Sequence, residues 1–194
     1  MAAPYGLRFD CGRICLDLIA TAGAGPAGSE RLTGPGPLAA WLAGAGLVPP
    51  GAPPGGLDAG WVARFRALRA LLTRIVGAEL HGRAAPFDLA LLNTAAAAAP
   101  PPALRAVRAP DGTLTAALAA PPDCAGLLAA VARDAVALLT DPVARGRLRR
   151  CAGDGCPLVY LDTSHGRRRR WCSGEVCGNR ARVARHRRRS AGAR

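Results

Sequence analysis

Four cysteines, Cys151, Cys156, Cys172 and Cys177, sit in the densest arginine run of this 194-residue chain, spaced as C-x4-C, fifteen intervening residues, then C-x4-C. Two knuckles so spaced can face one another and surround a tetrahedral Zn²⁺ with four thiolates. Four soft sulfurs at roughly 2.3 Å close the coordination shell and leave no position for substrate, so the expected centre is structural. Gly153 and Gly155 in the first knuckle, and Gly174 in the second, can take positive φ and let the backbone aim N–H groups at sulfur. His165 and His186 are substitute ligands that a complete set of four cysteines makes unnecessary. Core cysteines or two disulfides are the competing assignment. Disulfides suit a short secreted chain, but Met1-Ala2-Ala3-Pro4-Tyr5 opens without a basic-then-apolar leader, and zinc is the expected cofactor.

The elements around these cysteines read as a hairpin followed by a helix. Leu158 to Leu161 is β-prone, Ser164-His165-Gly166 supplies a turn, and Arg169-Arg170-Trp171 is expected to return as the partner strand. Gly178 then turns the chain, and Asn179 is expected to cap a helix running to about Arg189. Arg182, Arg185, His186 and Arg189 recur at three, four and seven, which draws one cationic stripe along that helix. Val183, with Ala184 or Ala181, is expected to face back toward Trp171.

Charge distribution points to the same segment. The chain carries a net charge of +13, and all 26 basic residues are arginine, a choice that fits a GC-rich coding bias as well as a function. Residues 145–194 hold fifteen arginines against Asp154, Asp162 and Glu175, while residues 1–144 are nearly neutral. The expected partner is therefore polyanionic and meets the tail. Duplex DNA is preferred, with Arg182, Arg185 and Arg189 facing the groove and Arg167, Arg168 and Arg169 on the backbone. Arg180, Arg187 and Arg188 widen the positive surface. RNA is the main alternative, but Tyr160 and Trp171 are the module's only aromatics, a thin platform for stacking single strands.

The stretch Trp171-Cys172-Ser173-Gly174-Glu175-Val176-Cys177-Gly178-Asn179-Arg180 resembles the CGNR zinc-finger family of bacterial proteins, as do Leu161-Asp162-Thr163-Ser164 and Arg169-Arg170-Trp171-Cys172. Cys15-Leu16-Asp17-Leu18 with Ala20-Thr21, and Leu91-Leu92-Asn93, is similar to the ABATE domain that precedes that finger, although Ile19-Ala20-Thr21 stands where the family shows an Asn before the Thr. The resemblance implies a stress-related transcriptional regulator and supplies neither ligand nor operator.

Along the remaining chain, residues 5–10 read as a short strand and Ile14 to Thr21 as a helix, with Cys11 and Cys15 as small buried side chains. Gly/Pro-rich loops are expected at 23–37 and 49–56, with a short helix from Pro37 to Gly46 between them. Asp58 caps a long helix over 59–80 whose arginines, Arg64, Arg66, Arg69 and Arg74, are expected to solvate its outer face. Pro86 starts another helix, Leu104 to Ala109 and Thr113 to Ala119 flank an Asp111-Gly112 hairpin turn, and Asp123 caps a helix over 124–140. The expected fold is α+β: a mainly helical domain over residues 1–145 with one or two short hairpins, a four-cysteine zinc finger over 146–190, and a disordered tail over 191–194. The finger follows without a flexible linker, so a change in helical packing could turn it.

Three classes of function compete. The first is a zinc-dependent DNA-binding regulator with an N-terminal domain for sensing a small molecule or forming homo-oligomers. The second is an enzyme, which is not expected. There is no Gly-rich phosphate loop, no H-E-x-x-H and no Ser/His/Asp grouping, and the Asp10/Asp17 pair suits capping. The third is an RNA-binding or protein-interaction zinc module whose thiolates respond to oxidation. No stretch approaches the roughly 20 apolar residues of a membrane span, so a cytoplasmic location is expected.

Overall fold

Helices dominate the first two thirds of the chain because apolar residues there recur at helical spacing between local caps. The computed structural model describes residues 4–23, 30–49 and 54–191. Its helices are α1 (Ile14–Ala20), α2 (Pro35–Gly44), α3 (Ala59–Glu79), α4 (Pro86–Ala97), α5 (Cys124–Thr140), α6 (Pro142–Arg145) and α7 (Asn179–Ala191). Its strands are β1 (Leu104–Arg108), β2 (Leu114–Leu118), β3 (Leu148–Arg150) and β4 (Val159–Leu161), arranged as two separate antiparallel pairs.

Caps set where helices begin. The Asp58 side chain accepts from the Trp61 N–H at 2.9 Å, and Asp123 accepts from Gly126 N–H. Asp141 closes α5 and caps α6 through Val143 N–H. Each such cap contributes about 1 kcal/mol. Helix α1 has no local cap; Asp134 of α5 accepts from Cys15 N–H at 2.9 Å and pairs with Arg13. Helices α1, α3, α4 and α5 pack around Phe65, Leu72, Ile75, Leu92, Leu127 and Val131, and Trp41 of α2 meets Phe65 edge-on at 5.9 Å. Cys11 and Cys15 are fully buried, as expected.

Several expectations change. Helix α2 starts two residues early, at Pro35. Residues 5–10 form no strand: Pro4–Gly6 is a 3-10 turn, and the segment beyond it gains only one ladder-like bond, from Leu161 N–H to the Cys11 carbonyl. Three of the four α3 arginines brace the domain. Arg66 donates to the Leu32 carbonyl, Arg69 forks onto Glu30 and Thr21, and Arg74 pairs with Asp88 of α4. The loops expected at 23–37 and 49–56 fall partly outside the described residues, as does the tail beyond Ala191, which itself ends α7. The Asp111-Gly112 hairpin forms with Gly112 at φ +84°, pairing Leu104 with Leu118. Among the described residues, no helix is long and apolar enough to cross a membrane.

Candidate metal centre and nucleic-acid interface

The first knuckle is the connection between β3 and β4. Leu148 pairs with Leu161 and Arg150 with Val159, after which Cys151 N–H reaches the Leu158 carbonyl at 2.9 Å and Cys156 N–H reaches that of Gly153 at 3.0 Å. Gly155 turns the loop at φ +65°, whereas Gly153 and Gly174 do not use the left-handed region. The strand partner of Val159–Leu161 is therefore Leu148–Arg150, not the expected Arg169-Arg170-Trp171. That segment crosses the knuckle instead, with its Arg170 carbonyl accepting from Ala152 N–H at 2.8 Å and its Arg169 carbonyl accepting from the Tyr160 hydroxyl. Buried Asp162 shapes the intervening turn by accepting from Ser164 N–H and hydroxyl and from Arg169 N–H. Arg167, not Gly166, takes the left-handed position there, at φ 49°.

The second knuckle is helical. Ser173 accepts from Val176 N–H through its side chain, and Gly174–Gly178 forms a π-helical turn that runs straight into α7. Ser173 rather than Asn179 is thus the cap, and Gly178 continues the helix instead of turning the chain, its N–H on the Ser173 carbonyl.

Together the knuckles place the four sulfurs within 4.8 Å of one another, all buried. The Cys156–Cys172 and Cys172–Cys177 separations are 3.8 and 3.6 Å. A tetrahedron of sulfurs at 2.3 Å from its centre has edges of about 3.8 Å, so the set fits a tetrathiolate metal and no disulfide forms. Backbone donors support the charged sulfurs: Cys172 N–H lies 3.2 Å and Gly153 N–H 3.3 Å from Cys151 Sγ. Gly153 packs closely on the cluster: a Cβ there would stand 3.0 Å from Cys177 Cβ and 3.1 Å from its Sγ, so a larger residue would press on that ligand. Burial resists ionisation at Cys151, yet these N–H groups bring its pKa below the usual thiol value. Burial and neighbouring sulfurs push Cys156 up to about 11 and raise Cys177 as well. A bound cation reverses that balance by holding all four as thiolates. His165 and His186 are exposed and join no ligand cluster.

The arginines divide into two groups. Arg169 is turned inward: it donates to the carbonyls of Trp171 and Asp10 at 2.9 and 3.0 Å and to that of Cys172, and it lies 4.5 Å from the Tyr160 ring centroid. Its guanidinium is committed to the fold, unlike exposed Arg167 and Arg168. On α7, Arg180, Arg182, Arg185, Arg187, Arg188 and Arg189 are oriented outward, and none makes an ion pair among the described residues. Ala181, Ala184, Arg185 and Arg188 share one face and, with Arg180, Arg170, Trp171 and Asp154, line a cleft of about 440 Å³ beside the first knuckle. Arg182, His186 and Arg189 run along the neighbouring solvent-facing stripe, and Val183 is exposed at 42% rather than turned toward Trp171. Arg170, the last residue of the basic run 167–170 that the sequence offers as a second patch beside the helix, lies 5.3 Å from the Trp171 ring.

A helix-rich N-terminal region is thus followed by a buried four-cysteine cluster able to hold a metal ion and by a final helix. Residues 12–142 match the family model ABATE, described as "putative stress-induced transcription regulator", and residues 147–190 match the CGNR zinc finger. The chain belongs to the ABATE family and carries a CGNR zinc finger after that region. A search of curated proteins found no match.

Proposed function

We propose that this chain is a zinc-dependent, duplex-DNA-binding transcription regulator of the bacterial cytoplasm, with an N-terminal domain that senses an effector or mediates self-association. Cys151, Cys156, Cys172 and Cys177 would hold Zn²⁺, which supplies folding free energy on the order of 10 kcal/mol to a module too small to hold together by apolar burial. One observation carries the reading: a helix with six outward-facing arginines, none in an ion pair among the described residues, is continuous with the turn that carries Cys177, so metal binding would fix the direction in which that charge points.

The cleft supports a division of roles. Arg170, Arg180, Arg185 and Arg188 converge where a phosphate can sit between knuckle and helix, and Arg182 and Arg189 on the adjacent stripe reach toward base edges. Asp154 on the cleft rim disfavours a second phosphate beside it. Duplex is favoured over single strands because Tyr160 is fully buried and Trp171 is half-buried beneath Arg170, which leaves the finger a thin platform for stacking bases. No catalytic step is assigned.

Binding of fragmented genomic DNA by the zinc-loaded protein, at near-physiological salt and with random-sequence competitor, tests the reading. One enriched motif, lost together with zinc and α7 order in Cys172→Ser, is expected. Sequence-specific binding retained by that variant would overturn it.

A further inference from the structure

The metal centre does not end at the finger. Arg8, 164 residues before Cys172 in sequence, donates one guanidinium nitrogen to Cys172 Sγ at 3.2 Å and the other to the Cys172 carbonyl at 2.7 Å. Asp10 orients it, accepting at 2.8 and 3.0 Å, and the Arg8 side chain is only 16% exposed. Return contacts close the junction. Arg169 of the finger donates to the Asp10 carbonyl, Leu161 N–H reaches the Cys11 carbonyl at 2.8 Å, and Gly12, at φ +89°, brings its backbone so near that a Cβ would stand 3.1 Å from Leu161 Cβ.

The strip from Arg8 to Arg13 is itself held by the helical domain. Cys11 N–H donates to Asp17 of α1, Arg13 and Cys15 N–H engage Asp134 of α5, and the Phe9 ring lies against Gly44 of α2. Three helices thus anchor a segment whose far end touches a metal ligand. A zinc ion with four thiolates carries net negative charge, and a partly buried guanidinium on one sulfur makes the kind of charge-assisted bond that steadies such a centre.

We infer that Arg8 is a positioning residue of the zinc centre, through which the N-terminal domain holds Cys172 and couples its own docking to metal retention. The inference rests on the metal reading of the four cysteines and is independent of nucleic-acid binding. By linkage, whatever fixes Cys172 and its two acceptors favours docking of residues 8–12, and that docking must favour the metal to the same degree. An effector that moves α1, α2 or α5 against the strip would then change how firmly the finger keeps its zinc.

The test uses the full chain, loaded with Zn²⁺ for release into a chromogenic chelator and with Co²⁺ for spectroscopy. Arg8→Met keeps the apolar stem and removes both donors; Arg8→Lys keeps the charge and one donor direction. Zinc release from Arg8→Met is expected to accelerate on the order of tenfold, the usual range for lost partners of metal ligands, with Arg8→Lys intermediate. A hydrogen bond lowers the energy of the sulfur lone pair, so the sulfur-to-cobalt charge-transfer band should move to lower energy in Arg8→Met, a shift that loss of packing alone would not give. Hydrogen exchange should quicken at Cys11, Gly12 and Leu161 with α3 unchanged. Wild-type release rates and an unmoved band in Arg8→Met overturn the inference. Should Arg8→Met lose its helical circular dichroism, wild-type behaviour of Arg8→Lys in both measurements overturns it equally. A wild-type chain that gives no sulfur-to-cobalt band overturns the metal reading itself.

Discussion

Arg169 and Tyr160 hold one another from both ends: the guanidinium lies 4.5 Å from the ring centroid, while the Tyr160 hydroxyl donates at 2.5 Å to the Arg169 carbonyl. With its remaining donors on the Trp171, Cys172 and Asp10 carbonyls, Arg169 serves the finger as a brace. Arg169→Ala should therefore destabilise the zinc-loaded finger by about 1–3 kcal/mol, the scale of lost charge-assisted bonds to buried acceptors. Arg168→Ala, on an exposed turn, should stay within about 0.5 kcal/mol. Thermal melts of the two zinc-loaded variants separate brace from surface charge; equal midpoints would remove the distinction.

The cleft beside the first knuckle makes a prediction about salt. Each phosphate neutralised contributes close to one unit to the slope of log affinity against log salt. Arg170→Ala, Arg185→Ala and Arg188→Ala should each lower that slope by about 1, weakening all sequences nearly alike. Arg182→Ala or Arg189→Ala, on the neighbouring stripe, should instead change the ranking of sequences. Arg64→Ala, on α3, should alter neither. Anisotropy titrations of a fixed duplex across a salt series measure the slopes, and an unchanged slope for Arg185→Ala would move the phosphate path elsewhere.

How much of this was legible in sequence depended on distance along the chain. Asp58 and Asp123 declared the helices that follow them because a cap acts within three residues. The Asp111-Gly112 hairpin and the four cysteines were equally local signals. Arg169-Arg170-Trp171 looked like a strand because it follows a turn after a β-prone run, but Leu148–Arg150 already occupied that edge of Val159–Leu161. Asp134 capping α1 across 119 residues and Arg8 reaching Cys172 across 164 have no local signature, since only tertiary packing brings them together. The reading of Arg66, Arg69 and Arg74 as solvating residues failed for a related reason: a charged residue on an outer face looks the same in sequence whether it meets water or Glu30 and Asp88.

Burial of Asp17 sets a pH dependence. Desolvation raises its carboxyl from 3.8 to about 6, against the opposing Cys11 N–H, and the residue is only 7% exposed. Between those two values the folded chain binds more protons than the unfolded one, so this group's contribution to stability falls as pH rises and levels off above about pH 6. The whole effect is on the order of 3 kcal/mol. Glu30 acts in the other direction and lower down: its hydrogen bond from Arg69 holds it to about 2, so its contribution is present above pH 4.5 and lost below. Asp17→Asn keeps an oxygen for Cys11 N–H and removes the charge. Its stability relative to wild type, from urea titrations of the helical signal, should grow between pH 4 and 6 and then stay level; a difference flat across that window would contradict the buried-carboxylate account.

Two glycines in neighbouring helices should respond oppositely to the same methyl group. At Gly44 of α2 a Cβ would fall 2.3 Å from Phe9 Cζ and 2.6 Å from Cε2, so the ring must leave the helix surface. Overpacking of this kind costs about 1–3 kcal/mol, and because Phe9 sits between Arg8 and Asp10, the displaced ring should also loosen their hold on Cys172. At Gly77 of α3 nothing lies within 4 Å of the added Cβ, and alanine there should stabilise by about 0.5–1 kcal/mol through the unfolded state. Gly44→Ala is thus expected to lower the melting temperature and speed zinc release, and Gly77→Ala to raise the melting temperature with zinc release unchanged. Parallel behaviour of the two variants in zinc release would mean that Phe9 does not carry the docking of its strip.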